Sequence, residues 1–480
     1  MNKKRKNAYN ILTAVLWMLV WQGAALAIDN KIFLPSPMDT VKSLGALLVQ
    51  KEFYHSVCFS LGNIAKGFCL GIFVGIVLAV LASATTFLEQ FFNLPMRVIK
   101  AVPVASFTIL ALFWVDSSEL SVLISFFMVV PVIYTNVLTG IKETDKELLE
   151  MAKVFHLTAG NRVRFLYTPL ILPYLVSASS VAIGLAWKSG IAAEVIGLAK
   201  ASIGNHLYEA KIYLEMPTLF AWTVAIVCIS ILSEKLILLL LHLIEKKMLG
   251  KVEATAETEG AEEPVKINAP LINKESLGVV EDTIMEKESG TIFLKDISKA
   301  YGEKQVLDHV SFTIAPGAPV ALMGSSGIGK TTLLRLLLGT ERPSEGTIER
   351  VPEKMNFSVV FQENRLCENV SVEQNLKMVG TTKHKKEEIE RVLRQLGLHE
   401  CRKQKVAALS GGMKRRVAIG RALIYDAPVF LLDEPFQGLD EATKQNVMEC
   451  VKARIIGKSF LLITHDKAEA ECFGCKIIQL

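Results

Sequence analysis

Six runs of roughly 20 mostly apolar residues, at 8–28, 57–82, 98–115, 120–138, 170–187 and 219–244, fall within the first 245 residues of this 480-residue chain. Each has the length a helix needs to cross a hydrocarbon core. Lipid cannot satisfy a free backbone N–H or C=O, so spans of this kind fold as helices. The first half is therefore expected to be an α-helical membrane domain of about six transmembrane helices. Composition agrees: 51% of residues are hydrophobic, mean hydropathy is +0.37, and Trp17, Trp21, Trp114, Trp187 and Trp222 all lie in this half. The basic opening "MNKKRKN" resembles the start of a signal peptide, but no clean small-residue cleavage site follows, so it reads as the head of a retained first helix. With that end in the cytoplasm, Arg97, Lys100, Lys142, Lys146, Lys153, Arg162, Arg164, Lys246 and Lys247 share its side. The opposite loops hold only Lys31, Lys42, Lys51, Lys200 and Lys211. This is the positive-inside pattern of a multi-pass protein of the cytoplasmic membrane, with both termini inside. The net charge of +5 is accounted for by these inner-face residues and calls for no nucleic acid.

Several spans carry marks a plain anchor does not need. Pro103, Pro131 and Pro173 are expected to interrupt helices, and Lys66, Lys188 and Glu194 lie in or near spans. Charged groups there line a pathway or snorkel to headgroups. Both readings stand for Lys66 and Glu194, while Lys188 in "GLAWKSGIAAE" reads as part of a pathway. Between the fourth and fifth runs lies "ETDKELLEMAKVFHLTAGNR", residues 143–162. Thr144 and Glu147 have capping-box spacing, and Leu148, Leu149, Ala152 and Phe155 form one apolar stripe. The segment is too short and too charged to cross a bilayer, so it lies on a membrane surface or docks on protein.

Residues 251–290 hold ten acids and four bases and no aromatic residue, the composition of a flexible acidic linker. The chain thus divides into a membrane domain, 1–249, a linker, 250–290, and a third region, 291–480. In that last region short apolar runs alternate with helix-like stretches, the pattern of an α/β domain with a mainly parallel sheet. Its "GSSGIGKTT" comprises Gly324, Ser325, Ser326, Gly327, Ile328, Gly329, Lys330, Thr331 and Thr332. This is the phosphate-binding pattern G-x-x-x-x-G-K-[ST], placed between a strand and a helix. Backbone N–H groups and the helix start favour a phosphate, Lys330 reaches its outer oxygens, and Thr331 can ligate Mg²⁺. Downstream, "VFLLDEP" ends a strand on Asp433, which can join the Mg²⁺ shell, and on Glu434, which can polarise an attacking water. The pair makes the region an α/β P-loop ATPase domain acting on ATP with Mg²⁺.

The stretch "LSGGMKRRVAIGRAL" resembles the signature of ATP-binding cassette proteins. The resemblance implies that Ser410, Gly411 and Gly412 open a helix aimed at the γ-phosphate held by the opposite subunit, so that two ATP molecules are sandwiched in a dimer. It further implies that Tyr301 stacks on adenine and Gln362 links Mg²⁺ to the membrane partner. The "QGLD" ending at Asp440 takes a dimer-contact position and His465 a γ-phosphate switch position. Met413, Gln437 and Gly438 depart mildly from the usual residues, and the end at Leu480 is expected to leave no added regulatory domain.

"ELLEMAKVFH" is similar to the cytoplasmic coupling loop of binding-protein-dependent importers, with Glu150, Met151 and Ala152 at its Glu-Ala-Ala and His156 where glycine is usual. This implies that the segment plugs into the ATPase beside Gln362. "LPSPMDTV", "SLGNIAKGF", "IKAVPVASFTILALFW", "AAEVIG" and "FQENRLCENVSVEQNL" resemble the permeases and ATPases of the nitrate, sulfonate and taurine group. The chain looks like permease and ATPase fused, so that a homodimer makes a four-domain importer fed by a separate extracytoplasmic solute-binding protein. The implied solute is an anion such as a sulfonate, taurine or nitrate, or a thiamine precursor. Two other readings are an ATP-driven exporter and a non-transporting membrane signalling ATPase; short loops and the Glu150 segment speak against the exporter. The eight cysteines make no disulfide framework in a reducing cytosol, and Cys472 and Cys475, lacking a second ligand pair, make a poor zinc site.

Overall fold

The computed structural model describes residues 3–30, 32–249, 289–325, 327–380 and 385–480. Most of the expected linker, and Ser326, lie outside them. The helices run α1 (Lys3–Ile28), α2 (Pro37–Leu48), α3 (Lys51–Ala84), α4 (Thr86–Ala101), α5 (Val104–Ala111) and α6 (Leu120–Lys142). Next come α7 (Lys146–Val154), α8 (Ala159–Asn161), a π-helical turn Arg162–Tyr167, α9 (Thr168–Gly197), α10 (Ile203–Ile212) and α11 (Met216–Leu249). The chain forms two compact units, Met1–Glu143 with Leu170–Ile244, and Thr144–Pro169 with Glu245–Leu480.

Among the described residues four helices are long and apolar enough to cross a membrane, or five if the bent pair α4 and α5 is one broken span. The first expected span, residues 8–28, lies within the helix α1, whose described apolar stretch includes Val15–Ile28. Of the three prolines, Pro103 alone breaks a helix. It caps α5 where the chain bends by 100° after α4. Pro131 and Pro173 sit inside the continuous helices α6 and α9, as membrane helices tolerate when neighbours re-satisfy the freed carbonyl.

The core of this unit is the α3–α6 pair. Gly67, Gly71 and Gly75 recur every four residues on α3, and a Cβ at each would meet Val122 O at 2.4 Å, Val129 at 2.7 Å and Ile133 at 2.9 Å. Small residues let the two backbones approach as larger ones cannot. Ile64, Phe68, Ile133, Tyr134, Trp187 and Trp222 fill the space around them. Lys66 and Lys188 stay exposed, whereas Glu194 is fully buried. Its Oε2 accepts from Ser60 Oγ at 2.7 Å and from the Gly204 N–H at 3.2 Å, and Ser60 Oγ accepts from the Ile203 N–H at 3.0 Å. These bonds tie the start of α10 to α3 and α9.

The described residues of the second unit form eight strands: β1 (Thr291–Tyr301), β2 (Lys304–Ile314), β3 (Val320–Met323), β4 (Glu345–Val351), β5 (Phe357–Val360), β6 (Val429–Asp433), β7 (Ser459–Ile463) and β8 (Lys476–Gln479). Its later helices are α12 (Lys330–Leu338), α13 (Val372–Lys377), α14 (Lys385–Gln395), α15 (Gly411–Tyr425), α16 (Glu441–Arg454) and α17 (Lys467–Cys472). Strands β2, β1 and β4 make an antiparallel sheet, and a parallel sheet runs β5-β6-β7-β3-β8. Every residue of β5, β6 and β7 is buried, which explains why they are mostly apolar on both faces and do not alternate with charged residues. The loops leaving β3, β5, β6 and β7 therefore emerge at one carboxyl edge, where parallel sheets bind ligands.

Candidate nucleotide and coupling sites

At that edge β3 leads through Gly324 and Gly329 into α12. Gly329 has φ 110°, and a Cβ there would lie 2.8 Å from both Val306 O and Leu307 Cδ2, so glycine is needed for both its backbone and its space. Gly327 is left-handed too, and Ile328 N donates to Ser325 O at 3.4 Å. Lys330 is nearly buried, and its Nζ donates to Gly324 O at 2.6 Å and Ser325 O at 3.1 Å. This puts the ammonium within the loop that carries the phosphate pattern. Thr331 Oγ1 donates to Asp433 Oδ2 at 3.3 Å, joining positions 102 residues apart. Burial, followed by the neighbouring Glu434, pushes the Asp433 carboxyl up to about 6; Thr331, Arg415 and Lys330 oppose the rise. A hydroxyl and a carboxylate this close form a hard oxygen donor set that suits Mg²⁺.

Glu434 adopts φ 46°, a left-handed conformation that costs a residue with a Cβ about 1–3 kcal/mol. Its N–H donates to Ile463 O at 2.8 Å, and His465 Nδ1 lies 3.7 Å from its Oε1. The two residues thus converge from the ends of neighbouring strands. Gln362, on the loop after β5, is exposed. Tyr301 ends β1 partly exposed, donates its hydroxyl to Glu341, interacts with Thr332, and carries Lys299 Nζ 5.1 Å from its ring centre.

Ser410 caps α15, its Oγ accepting from the Met413 N–H at 3.3 Å. Ser410 and Gly411 are exposed. Gly412 packs beside the loop ending at Asp440, where a Cβ would stand 3.2 Å from Gly438 O. Asp440 in turn caps α16, accepting from the Thr443 N–H at 3.0 Å.

Thr144–Pro169 belongs to this same unit. The cap of α7 is Asp145, which accepts from the Glu147 N–H at 2.8 Å, and not Thr144, which is buried. Asp145 stands directly before the helix, and its carboxylate satisfies the donor that the Thr144 hydroxyl was expected to meet. Leu148, Ala152 and Phe155 of the stripe are buried, as are Met151 and Val154 between them. Phe155 meets Tyr425 edge-on at 5.1 Å and lies under the Arg421 guanidinium at 5.1 Å. His156 takes φ 46°, the left-handed turn a glycine adopts without strain. Glu150 Oε2 accepts from Arg365 Nη1 at 3.0 Å, Glu147 Oε2 lies 3.9 Å from Arg365 Nε, and Arg365 stacks 4.1 Å from the Phe361 ring centre. Glu150, Gln362, Arg365, Thr331 and Asp433 line one narrow cleft.

Three arginines of this network, Arg365, Arg415 and Arg421, carry no role in the sequence reading. The cue for Arg421 is its place in "VAIGRALI", where a lone charge among apolar residues marks a buried group needing partners. Burial indeed lowers Arg421 and Arg415 to about 10.

A family model described as ABC transporter matches residues 307–437. One described as binding-protein-dependent transport system inner membrane component matches residues 71–250. The "Aliphatic sulfonates import ATP-binding protein SsuB 1" of Pseudomonas aeruginosa strain UCBPP-PA14 is 38% identical over 195 residues, covering 38% of this chain and 78% of that protein. The "Spermidine/putrescine import ATP-binding protein PotA" of Mycoplasma capricolum subsp. capricolum is 34% identical over 206 residues, 40% of this chain and 59% of that protein. Among solved structures, the dimeric structure of MJ0796, a bacterial ABC transporter cassette, is 29% identical over 39% of this chain and 94% of that one, with TM-score 0.37. Permease and ATPase thus share one polypeptide, and the chain belongs to the ATP-binding cassette transporter family as an importer.

Proposed function

We propose that two copies of this chain form a complete importer in the cytoplasmic membrane, with both termini and the ATPase in the cytoplasm, fed by a separate extracytoplasmic binding protein. In this reading residues 1–249 are the permease, 250–290 a linker and 291–480 the ATPase. Lys330 and the N–H groups of 324–332 hold the ATP phosphates, and Tyr301 stacks on the adenine. Ser410, Gly411 and Gly412 of one copy close on the nucleotide of the other. Thr331, Asp433 and Gln362 would hold Mg²⁺, which when bound neutralises charge on the phosphates. Glu434 takes up the proton of the attacking water and His465, beside it, steadies the γ-phosphate.

One observation carries the coupling: the Arg365–Glu150 bond of 3.0 Å joins the importer-like segment to the loop of Gln362. Closure around ATP then moves Glu150, Ala152 and His156 with that loop. The relatives' substrates, a sulfonate and polyamines, carry opposite charges, so the ATPase does not choose the solute. The permease resemblance favours a sulfonate, taurine or nitrate, or a thiamine precursor. The test is the full chain in proteoliposomes with its binding protein, supplied in turn with taurine, an alkanesulfonate, nitrate and an aminopyrimidine. Inward, ATP-dependent uptake of one of them is expected, with hydrolysis stimulated by the loaded binding protein. ATP-driven movement outward without that partner would make the chain an exporter.

A further inference from the structure

Arg415 lies on α15, five residues after Ser410, and is almost wholly buried. Its guanidinium donates to two separate loops. Nη1 reaches Phe361 O at 2.6 Å, Gln362 O at 3.1 Å and Asn364 Oδ1 at 3.3 Å. On the other side Nη2 reaches Asp433 O at 2.6 Å and Glu434 O at 2.5 Å, and Nε reaches Pro435 O at 3.0 Å. The acceptors are main-chain carbonyls but for Asn364 Oδ1, so what this side chain holds is the orientation of peptide planes. Those planes flank Gln362 and Glu434, and Glu434 is the residue in the left-handed conformation.

We infer that Arg415 is a positioning residue for ATP hydrolysis, locking the loops of Gln362 and Glu434 to each other and to the helix that opens at Ser410. The inference rests on the roles proposed above for Gln362 and Glu434. A helix drawn toward a γ-phosphate at its N-terminus carries both loops with it, so the water-polarising carboxylate and the loop bonded to Glu150 arrive together. Only a planar fork with five N–H groups meets acceptors on two sides; a lysine ammonium, a point donor with three, does not span them. Arg421 holds the far end of the first loop, donating to Arg365 O at 2.6 Å and Asn364 O at 3.2 Å, and makes no such bond to the loop of Glu434.

The experiment measures kcat and KM for MgATP on the purified full chain bearing Arg415→Lys or Arg415→Gln, each alone and combined with Glu434→Gln. Arg415→Lys keeps a cation beside Asp433 and Glu434 and is the variant to read should Arg415→Gln fail to fold. A lost peptide-plane lock misplaces the reacting groups, for which a loss in kcat of about 10- to 100-fold is the scale, with KM within about threefold. In the Glu434→Gln background the same change should lower the residual rate by less than about threefold, because groups acting as a unit are not additive. Arg415→Lys with a kcat within threefold of the parent, or an equal proportional loss in both backgrounds, overturns the inference. Glu434→Gln measured first separates this from a failure of the proposed site: full activity there overturns the role of Glu434 itself.

Discussion

The two units each bury a carboxylate, and they do so differently. Asp433 is 2% exposed and Glu194 0%. Asp433 stands at the end of a parallel strand, with a hydroxyl at 3.3 Å and the cations of Lys330 and Arg415 acting on it. Glu194 is met by the Ser60 hydroxyl and the Gly204 N–H, with the hydroxyls of Ser121 and Ser202 also acting on it, and packing closes over it: a Cβ on Gly204 would stand 2.3 Å from Glu194 Cβ. One carboxylate is set at a loop edge where a ligand can enter. The other is a joint between helices. A buried carboxyl group alone therefore does not mark a reaction site; what matters is whether its surroundings leave room and opposite charge for a reactant.

The sharpest way to break this contrast is to neutralise one carboxylate in each unit. Glu434→Gln should still bind ATP while hydrolysis falls by about a hundredfold or more, the scale for a lost general base. Glu194→Gln should leave basal hydrolysis within about threefold, since it touches no residue of the nucleotide site. Equal losses in a phosphate-release assay would erase the distinction between site and joint.

Assembly should show a somewhat smaller effect. Tagged mixed dimers with Lys330→Ala in one copy and Ser410→Arg in the other keep one intact site if each site draws on both chains. A wild-type copy paired with the doubly changed chain puts one defect in each site and should hydrolyse ATP about tenfold more slowly, because each site then lacks one needed part. The reverse order would mean that each chain completes its own site.

Coupling should respond next. Glu150→Arg places two cations together and should lower uptake by about tenfold while basal hydrolysis persists. Arg365→Glu in the same chain should recover part of that loss, contacting charges having interaction energies of about 0.5–3 kcal/mol. Uptake unchanged by Glu150→Arg would reduce this pair to surface decoration.

The smallest effect concerns the joint. Glu194→Ala strips acceptors from Ser60 and the Gly204 N–H, and should destabilise the membrane unit by about 1–3 kcal/mol, the cost of buried donors left unpaired. Thermal unfolding of the full chain in detergent reads this directly. An unchanged transition would show that water or a shifted side chain replaces the carboxylate.

How much of this was legible beforehand follows from sequence distance. The phosphate loop, the strand ending on Asp433 and the Ser410 cap are each contiguous, so their chemistry can be read along the chain. The apolar stripe of Leu148, Ala152 and Phe155 was equally legible, being a helical period. The cap of α7 is not legible in the same way, because Thr144 and Asp145 are adjacent candidates and only backbone geometry chooses Asp145. The bend at Pro103, against the continuous passage of α6 and α9 through Pro131 and Pro173, was likewise beyond reach: proline removes one donor in every case, and the tertiary surroundings decide whether the helix survives.

The amino-acid sequence by itself determined that this protein has an apolar helical half and an α/β P-loop half, since span length, strand burial and a phosphate loop are local properties of the chain. Tertiary structure alone decided which charges became partners. Arg365 meets Glu150 across 215 residues, Ser60 meets Glu194 across 134, and Arg415 reaches Phe361 across 54. No periodicity encodes such pairings. They exist because a charge or hydroxyl carried into a packed interior must find its opposite wherever the fold brings one within about 3 Å.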